Sequence, residues 1–281
     1  MMDITPDEMM VVCIARQIED GEVVAQGLAT PLVAAAYLLA RRTHAPNLYF
    51  TSAIGQSICR NPAPLGLTRI ESLWLDRALT QAGFVRAVAD VLPTLRPKEY
   101  FHPAQVDPFG NFNNIAFGQD YCRPRLRLPG VGGIPDVTTF ISDIYLYVPR
   151  HSRLTFVPKV DFISGLGYHP VRTHGAGPRA LTSDLGQFDF ADGKMRLISY
   201  HPGVSIKHIR AKTGFEIPIA PQVCETPPPS GEEVRLLREE IDPLGIRRLE
   251  LLSGAKRRAL LQEIIRRESE LLFRSELLFR T

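Results

Sequence analysis

Apolar positions along the first fifty residues switch between helical and extended spacing. Met9, Val12, Cys13 and Ala15 follow Thr5-Pro6-Asp7-Glu8. That tetrapeptide is a helix start: a capping hydroxyl, proline at the first helical position, then acids facing the positive helix end. The helix stops before Gly21. Glu22–Gly27 (EVVAQG) predicts a short strand, and Thr30-Pro31 repeats the cap signature and opens a helix over Leu32–Arg42. Asn47–Ala53 (NLYFTSA) predicts a second strand, closed by Gly55. Strand, helix, strand with short connections implies a right-handed crossover and a parallel sheet.

Thr68–Leu92 reads as mostly helical, with Thr68 and Glu71 at capping-box spacing and Trp74 inside. Tyr100–Phe101, Ile144–Val148 and Leu154–Ile163 read as strands between Gly/Pro-rich turns. Ala180–Tyr200 predicts two strands, a turn at Ala191-Asp192-Gly193, and a third strand. Ser205 caps a helix through Thr213, ended by Gly214. Thr226–Gly231 is a stiff linker ahead of a charged helix at Glu232–Ile241. Residues 1–245 are expected to form one α/β domain, an open, mostly parallel sheet flanked by helices. Residues 246–281 are expected to form a helical tail, with Leu260, Leu261, Ile264, Ile265, Leu271 and Leu272 on one face. The tail ends in a tandem SELLFR, whose six-residue period does not fit a coiled coil.

Composition adds exclusions. The 281 residues are 44% hydrophobic and 22% charged, which excludes extensive disorder. The net charge of +3 is too mild to point to nucleic acid, and the excess is local to the basic tail. Cys13, Cys59, Cys122 and Cys224 form no CxxC pair and show no metal-ligand spacing. Met1–Asp7 has no apolar signal-peptide core, and the longest apolar run, Leu32–Ala40, is about half a membrane span. A soluble, cytoplasmic protein with no metal and no membrane partner is expected.

Three segments carry chemistry. Gln105–Asn113 (QVDPFGNFN) places Gln105 and Asp107 before an Asp-Pro-Phe-Gly turn and the amides of Asn111 and Asn113 beyond it. Gly130-Val131-Gly132-Gly133-Ile134-Pro135-Asp136 is a glycine-rich bend, able to bring backbone N–H groups to an anion or a developing oxyanion. It is neither a P-loop nor GxGxxG. Thr51-Ser52-Ala53-Ile54-Gly55 lies at the carboxyl end of a predicted strand, where open parallel sheets bind ligands.

With these motifs the chain resembles class I coenzyme A transferases, specifically the B (β) subunit of glutaconate-CoA-transferase-like enzymes. Gln105–Asn111 and Gly130–Asp136 carry the likeness. So do Lys159–Phe162, Leu181–Phe190, His201–Val204, Thr213–Phe215 and Asp242–Gly245, in order. The resemblance implies an active site shared with an A (α) subunit, an α2β2 assembly, and a coenzyme A thioester as substrate with no tightly bound cofactor. It assigns Gly133 as oxyanion donor. It assigns Ser52, Ile54, Gly55, Gln105, Asp107, Asn111, Asn113, Gly130, Gly132, Ile134 and Asp136 to substrate or CoA binding.

One position departs. The resemblance puts the family's nucleophilic glutamate on Ala53, and a methyl group cannot attack a thioester. No other acid lies between His44 and Leu67. His102-Pro103, where the family tends to have Gly-Gly, offers a candidate general base in His102. Ser52, Ser57 and Cys59 are further nucleophile candidates without a visible base. Relatives lacking that glutamate open a cyclic β-keto acyl-CoA hydrolytically or decarboxylate a glutaconyl-type CoA. C–C cleavage of an acyl-CoA is therefore the leading expectation. A CoA-transferase with its nucleophile elsewhere, or a non-catalytic structural subunit, are the alternatives.

Overall fold

The protein is represented by a computed structural model, which describes residues 3–27, 30–52, 57–67, 76–140 and 144–278. The chain divides into two compact units. Met1–Ala82 joins Pro229–Thr281 in one, and Gly83–Pro228 forms the other.

In the first unit, helix α1 (Pro6–Ala15) starts where the cap signature places it, with the Thr5 N–H donating to Glu8 Oε2 at 3.0 Å. Strand β1 (Val23–Gln26), helix α2 (Pro31–Thr43) and strand β2 (Tyr49–Ser52) follow, and β1 pairs parallel with β2 as the crossover requires. Both helices are buried along most of their length: Met9–Ala15 and Leu32–Ala40 are all at most 8% exposed. The Tyr37 hydroxyl donates to Ala25 O at 2.9 Å and ties α2 to β1. Strands β3 (Ser57–Cys59) and β4 (Ala78–Gln81) extend the sheet by antiparallel pairing.

β4 corrects the helix expected over Thr68–Leu92. Residues 68–75, including the Thr68–Glu71 cap and Trp74, lie outside the described residues. Ala78–Gln81 is drawn into strand because the ladder with β3 satisfies its backbone. Helical structure resumes only at 84–95, after Gly83.

The tail belongs to this same unit. Its helix, Gly254–Leu278, buries Ile264, and Glu268 Oε1 accepts the Leu67 N–H at 2.8 Å. Ile265 and Leu271 stay exposed. Just upstream, the buried Arg247 guanidinium pairs with Asp7 at 2.7 Å, Asp242 at 2.9 Å and Glu8 at 3.3 Å. Asp242 also accepts the Ile246 and Arg247 N–H groups, so the Asp-Pro-Leu-Gly motif is a turn that seats this arginine.

In the second unit the strands lie side by side in the order Ile219–Glu225, Lys194–Tyr200, Gly186–Ala191, Ala180–Ser183, Ile144–Val148 and Lys98–Phe101. β5 (Lys98–Phe101), β10 (Ile144–Val148) and β11 (Ala180–Ser183) run parallel. β12 (Gly186–Ala191) and β13 (Lys194–Tyr200) continue as an antiparallel meander. The turn between them falls on Asp192 (φ 52°) and Gly193 (φ 73°), the paired positive φ values of a tight hairpin. The Ser205 hydroxyl caps the helix Ile206–Lys212, accepting the His208 N–H at 3.1 Å. The expected α/β fold is therefore present, with parallel pairs flanked by helices and antiparallel strands added to them.

Two further expectations change. Leu154–Ile163 is not a strand: it is irregular, with one bridge between Phe156 and Val106, because its backbone turns to wrap a buried polar cluster. β14 (Ile219–Glu225) was not anticipated across Pro221, and it pairs on one side only, where a missing N–H is tolerated.

Candidate functional site

The Gln105–Asn113 motif folds into a two-stranded ribbon, β6 (Gln105–Val106) against β7 (Phe112–Asn113), closed by the Asp-Pro-Phe-Gly turn. Gly110 N–H donates to Asp107 O at 3.0 Å, and Gly110 has φ 75°. Asp107 Oδ1 accepts the Phe109 and Asn111 N–H groups at 2.9 and 3.0 Å, and Oδ2 accepts Asn111 Nδ2 at 3.0 Å. Burial raises the Asp107 pKa, while these donors pull against it. Asn111 Oδ1 accepts the Gly167 N–H at 2.9 Å. A Cβ on Gly167 would strike the backbone of Phe109, Gly110 and Asn111, so glycine is required there.

The second amide organises the next stretch of chain. Asn113 is fully buried. Its Nδ2 donates to Gln105 Oε1 and Ala116 O, both at 2.7 Å, and its Oδ1 accepts the Ile115 N–H at 2.9 Å. Gln105 Oε1 also accepts the Asp161 N–H at 3.1 Å. Asn114 and Ser164, which the motif reading missed, complete the cluster. Asn114 Oδ1 accepts the Ala104 N–H at 2.7 Å, and Ser164 Oγ accepts the Asn114 N–H at 2.9 Å.

This cluster positions the glycine bend. Ala116 lies in β8 (Ala116–Phe117), which pairs antiparallel with β9 (Leu126–Arg127). Leu128 N–H then donates to Ile115 O at 3.0 Å, two residues before Gly130. Gly130 has φ 120° and Gly132 φ 52°, conformations that side chains resist, and a Cβ on either would meet nothing within 4 Å. These glycines serve backbone shape rather than packing. Gly133 O accepts the Val137 N–H at 2.8 Å and begins the short helix Ile134–Phe140, with Asp136 in its first turn. The N–H groups of Gly132 and Gly133 donate to no acceptor among the described residues. The bend thus holds two adjacent unused donors on a half-exposed surface.

His102 follows β5, and its ring lies 5.1 Å from that of Tyr147. Burial, aided by Arg150, pushes its pKa down to about 4, so the ring is neutral at pH 7 and a weak proton acceptor. On β5 itself, Glu99 is a buried carboxyl that sequence reasoning missed. Burial alone pushes its pKa up to about 8.

Ser52 ends β2 in the first unit and is 2% exposed. Ala53, Ile54 and Gly55 lie outside the described residues. Ser57 and Cys59 are buried on β3, and burial pushes the Cys59 thiol up to about 11, which makes it a poor nucleophile at neutral pH. Among the described residues no group of three or more His, Cys, Asp or Glu is placed to hold a metal ion. Nor is any described helix long and apolar enough to cross a membrane.

No family model matches the chain. Individual proteins do. It is 32% identical over 257 residues to the B subunit of 3-oxoadipate CoA-transferase from Pseudomonas knackmussii, covering 83% of this chain and 91% of that one. It is 29% identical over 265 residues to the B subunit of glutaconate CoA-transferase from Acidaminococcus fermentans, covering 85% and 93%. It is 35% identical over 226 residues to the cholesterol ring-cleaving hydrolase IpdB subunit of Mycobacterium tuberculosis, covering 76% and 86%. Among solved structures, the decarboxylase AibA/AibB superposes with a TM-score of 0.76 at 33% identity, over 87% of this chain and 98% of that chain. IpdAB of Rhodococcus jostii RHA1 gives 0.74 at 28% identity, over 90% and 100%.

Proposed function

Because this chain belongs to the coenzyme A transferase family as a B (β) subunit, we propose that it completes a heteromeric enzyme cleaving a C–C bond of an acyl-CoA thioester. The observation that carries the reading is alanine at position 53, where the family resemblance calls for the nucleophilic glutamate. Without a carboxylate there, no acyl anhydride and no glutamyl-CoA thioester forms on this subunit.

What remains is carbonyl activation. The free N–H groups of Gly132 and Gly133 are suited to bind the thioester oxygen as it gains negative charge. In a decarboxylation, the bond to the departing carboxylate breaks, its electron pair enters the thioester enolate, and a proton then returns to carbon. In a hydrolytic ring opening, water adds to a β-ketone, the C–C bond breaks, and the same enolate takes the electron pair. Either step needs an oxyanion donor and neither needs an acyl-enzyme. The relatives named as a ring-cleaving hydrolase and a decarboxylase, at 33 to 35% identity, support this choice.

In this reading Gln105, Asp107, Asn111 and Asn113 act through the backbone they hold, and Gly130, Ile134 and Asp136 shape the CoA-facing bend. By the family resemblance, Ser52, Ile54 and Gly55 are assigned to the acyl group along with position 53. The A subunit supplies the other wall, in an α2β2 assembly of the cytoplasm, and CoA enters and leaves as part of the substrate.

The test is label exchange. The complex with its A subunit is expected to exchange no labelled carboxylic acid into acyl-CoA. Robust exchange, with a glutamyl adduct of either subunit trapped by hydroxylamine or borohydride, overturns the proposal. That result would favour the second reading, a CoA-transferase with its nucleophile on the A subunit, which the two transferase relatives support.

A further inference from the structure

The carboxyl ends of β1 and β2 and the facing start of β3 carry a lateral row of buried polar side chains. Gln26 is the register partner of Ser52 in the parallel pair β1·β2, and Ser52 is the partner of Ser57 in the antiparallel pair β2·β3. Register partners share a face of the sheet, with Cβ atoms about 5 Å apart. The three residues therefore form one line across three strands. Thr30, the residue before α2, follows Gln26 by four positions. All four are at least nine-tenths buried: Gln26 4%, Ser52 2%, Ser57 4% and Thr30 8% exposed.

Three of them are unsatisfied. Gln26 Oε1, Thr30 Oγ1 and Ser57 Oγ have no hydrogen-bond partner among the described residues. Thr30 occupies the cap position of α2, yet its hydroxyl caps nothing. Buried polar atoms are nearly always paired, and each orphan is costly. Two orphans in one register line, and a third at the start of the helix that follows β1, call for a partner that the described residues do not supply.

The chemistry of the row selects the ligand. An amide and hydroxyls both donate and accept, and none is charged. No Lys, Arg or His among the described residues bonds to Gln26, Thr30 or Ser57. The first free N–H of α2, on Leu32, is already taken by the Glu250 carboxylate at 2.8 Å, which disfavours a second anion at this helix end. The row suits a neutral oxygen, such as a ketone or hydroxyl, and not a carboxylate.

We propose that Gln26, Thr30 and Ser57 form a specificity subsite for a neutral oxygen on the acyl chain of the thioester substrate. The inference rests on the acyl-CoA reading above. Gln26 and Ser52 end two parallel strands, the sheet edge at which open α/β folds bind ligands, and Ser52 is one residue in sequence from position 53.

The test is equilibrium binding to the purified complex of both subunits, with CoA, butyryl-CoA, acetoacetyl-CoA and glutaryl-CoA as probes. Acetoacetyl-CoA is expected to bind at least about tenfold tighter than butyryl-CoA, from which it differs by one ketone. Gln26→Met, Thr30→Val and Ser57→Ala are each expected to shrink that preference several-fold. CoA and butyryl-CoA binding should not change. Because each substitution removes an orphaned polar atom, the unliganded melting temperature should hold or rise, which keeps misfolding from imitating the result. An undiminished preference in all three variants overturns the proposal, and a shifted melting temperature with that outcome identifies the row as a water site only. Selective loss of glutaryl-CoA binding overturns the assignment to a neutral oxygen. If the unsubstituted complex binds none of the thioesters, the proposed function fails too. Label exchange with intact ketone preference overturns the mechanism alone.

Discussion

Glu99→Gln is expected to stabilise the protein, increasingly so as the pH rises. Glu99 sits on β5 opposite Ile144 of β10 and is 8% exposed. Its carboxyl receives no hydrogen bond or ion pair from the described residues, and burial is the sole cause that pushes its pKa from 4.5 to about 8. The folded chain therefore holds a proton that the unfolded chain releases above pH 4.5. Stability is fully present below that pH and is lost as pH rises through about 8. At about 1.4 kcal/mol per unit of pKa difference, the accumulated loss is about 3 kcal/mol at pH 7 and about 4 kcal/mol at pH 8. Glutamine keeps the shape and never ionises. Urea unfolding at pH 5, 6, 7 and 8, with hydrogen exchange at the Tyr100 and Phe101 amides, should show a gap between variant and parent that widens with pH. A gap of constant size would refute the reasoning, because it would mean that Glu99 stays ionised in the fold.

Arg247→Met leaves the buried carboxylates of Asp7 and Asp242 without their cation, and should cost about 3–5 kcal/mol in chemical denaturation; a loss below about 1 kcal/mol would show that the cluster contributes little. His151 is stacked on Phe156 at 3.6 Å between the Ser183 and Thr213 hydroxyls, and burial pushes its pKa down from 6.5 to about 3. Its contribution is present above pH 6.5 and is lost as pH falls toward 3, by about 1.4 kcal/mol per pH unit, so His151→Gln should flatten the acid limb of the stability profile between pH 6 and 4. Gly133→Leu should lower turnover of the two-subunit enzyme by about a hundredfold, with little change in melting temperature, since a Cβ there meets only Val137 Cγ2 at 3.7 Å. Full turnover in that variant would remove the bend from the reaction.

Local signals were legible because their causes are local. The caps at Thr5 and Ser205, the crossover between β1 and β2, and the Asp192-Gly193 hairpin each depend on a few neighbouring residues. β4 and β14 were not legible, since strands of such mixed composition exist only through ladders to β3 and β13. The Gln105–Asn113 motif was visible as polar turn chemistry. Its role was not, because it emerges from bonds to Asp161 and Gly167, more than fifty residues away. The polar row at Gln26 was hidden for a similar reason: only the register places two serines beside it. Glu99 lies in a Lys-Glu-Tyr-Phe stretch that resembles a half-exposed strand, and nothing local announces that its carboxyl is dry.

The Arg247 cluster bears on how the chain is made. Asp7 and Glu8 are synthesised about 240 residues ahead of the arginine that neutralises them. Until then the opening helix carries two acids it cannot bury. The intervening segment 83–228 is a compact unit of its own and is free to fold during synthesis, whereas the flanking unit waits for residue 247 to emerge. Nascent chains halted before residue 247 should therefore present their amino-terminal eighty residues to chaperones and proteases, and a premature stop there would spoil the beginning of the protein as surely as its end.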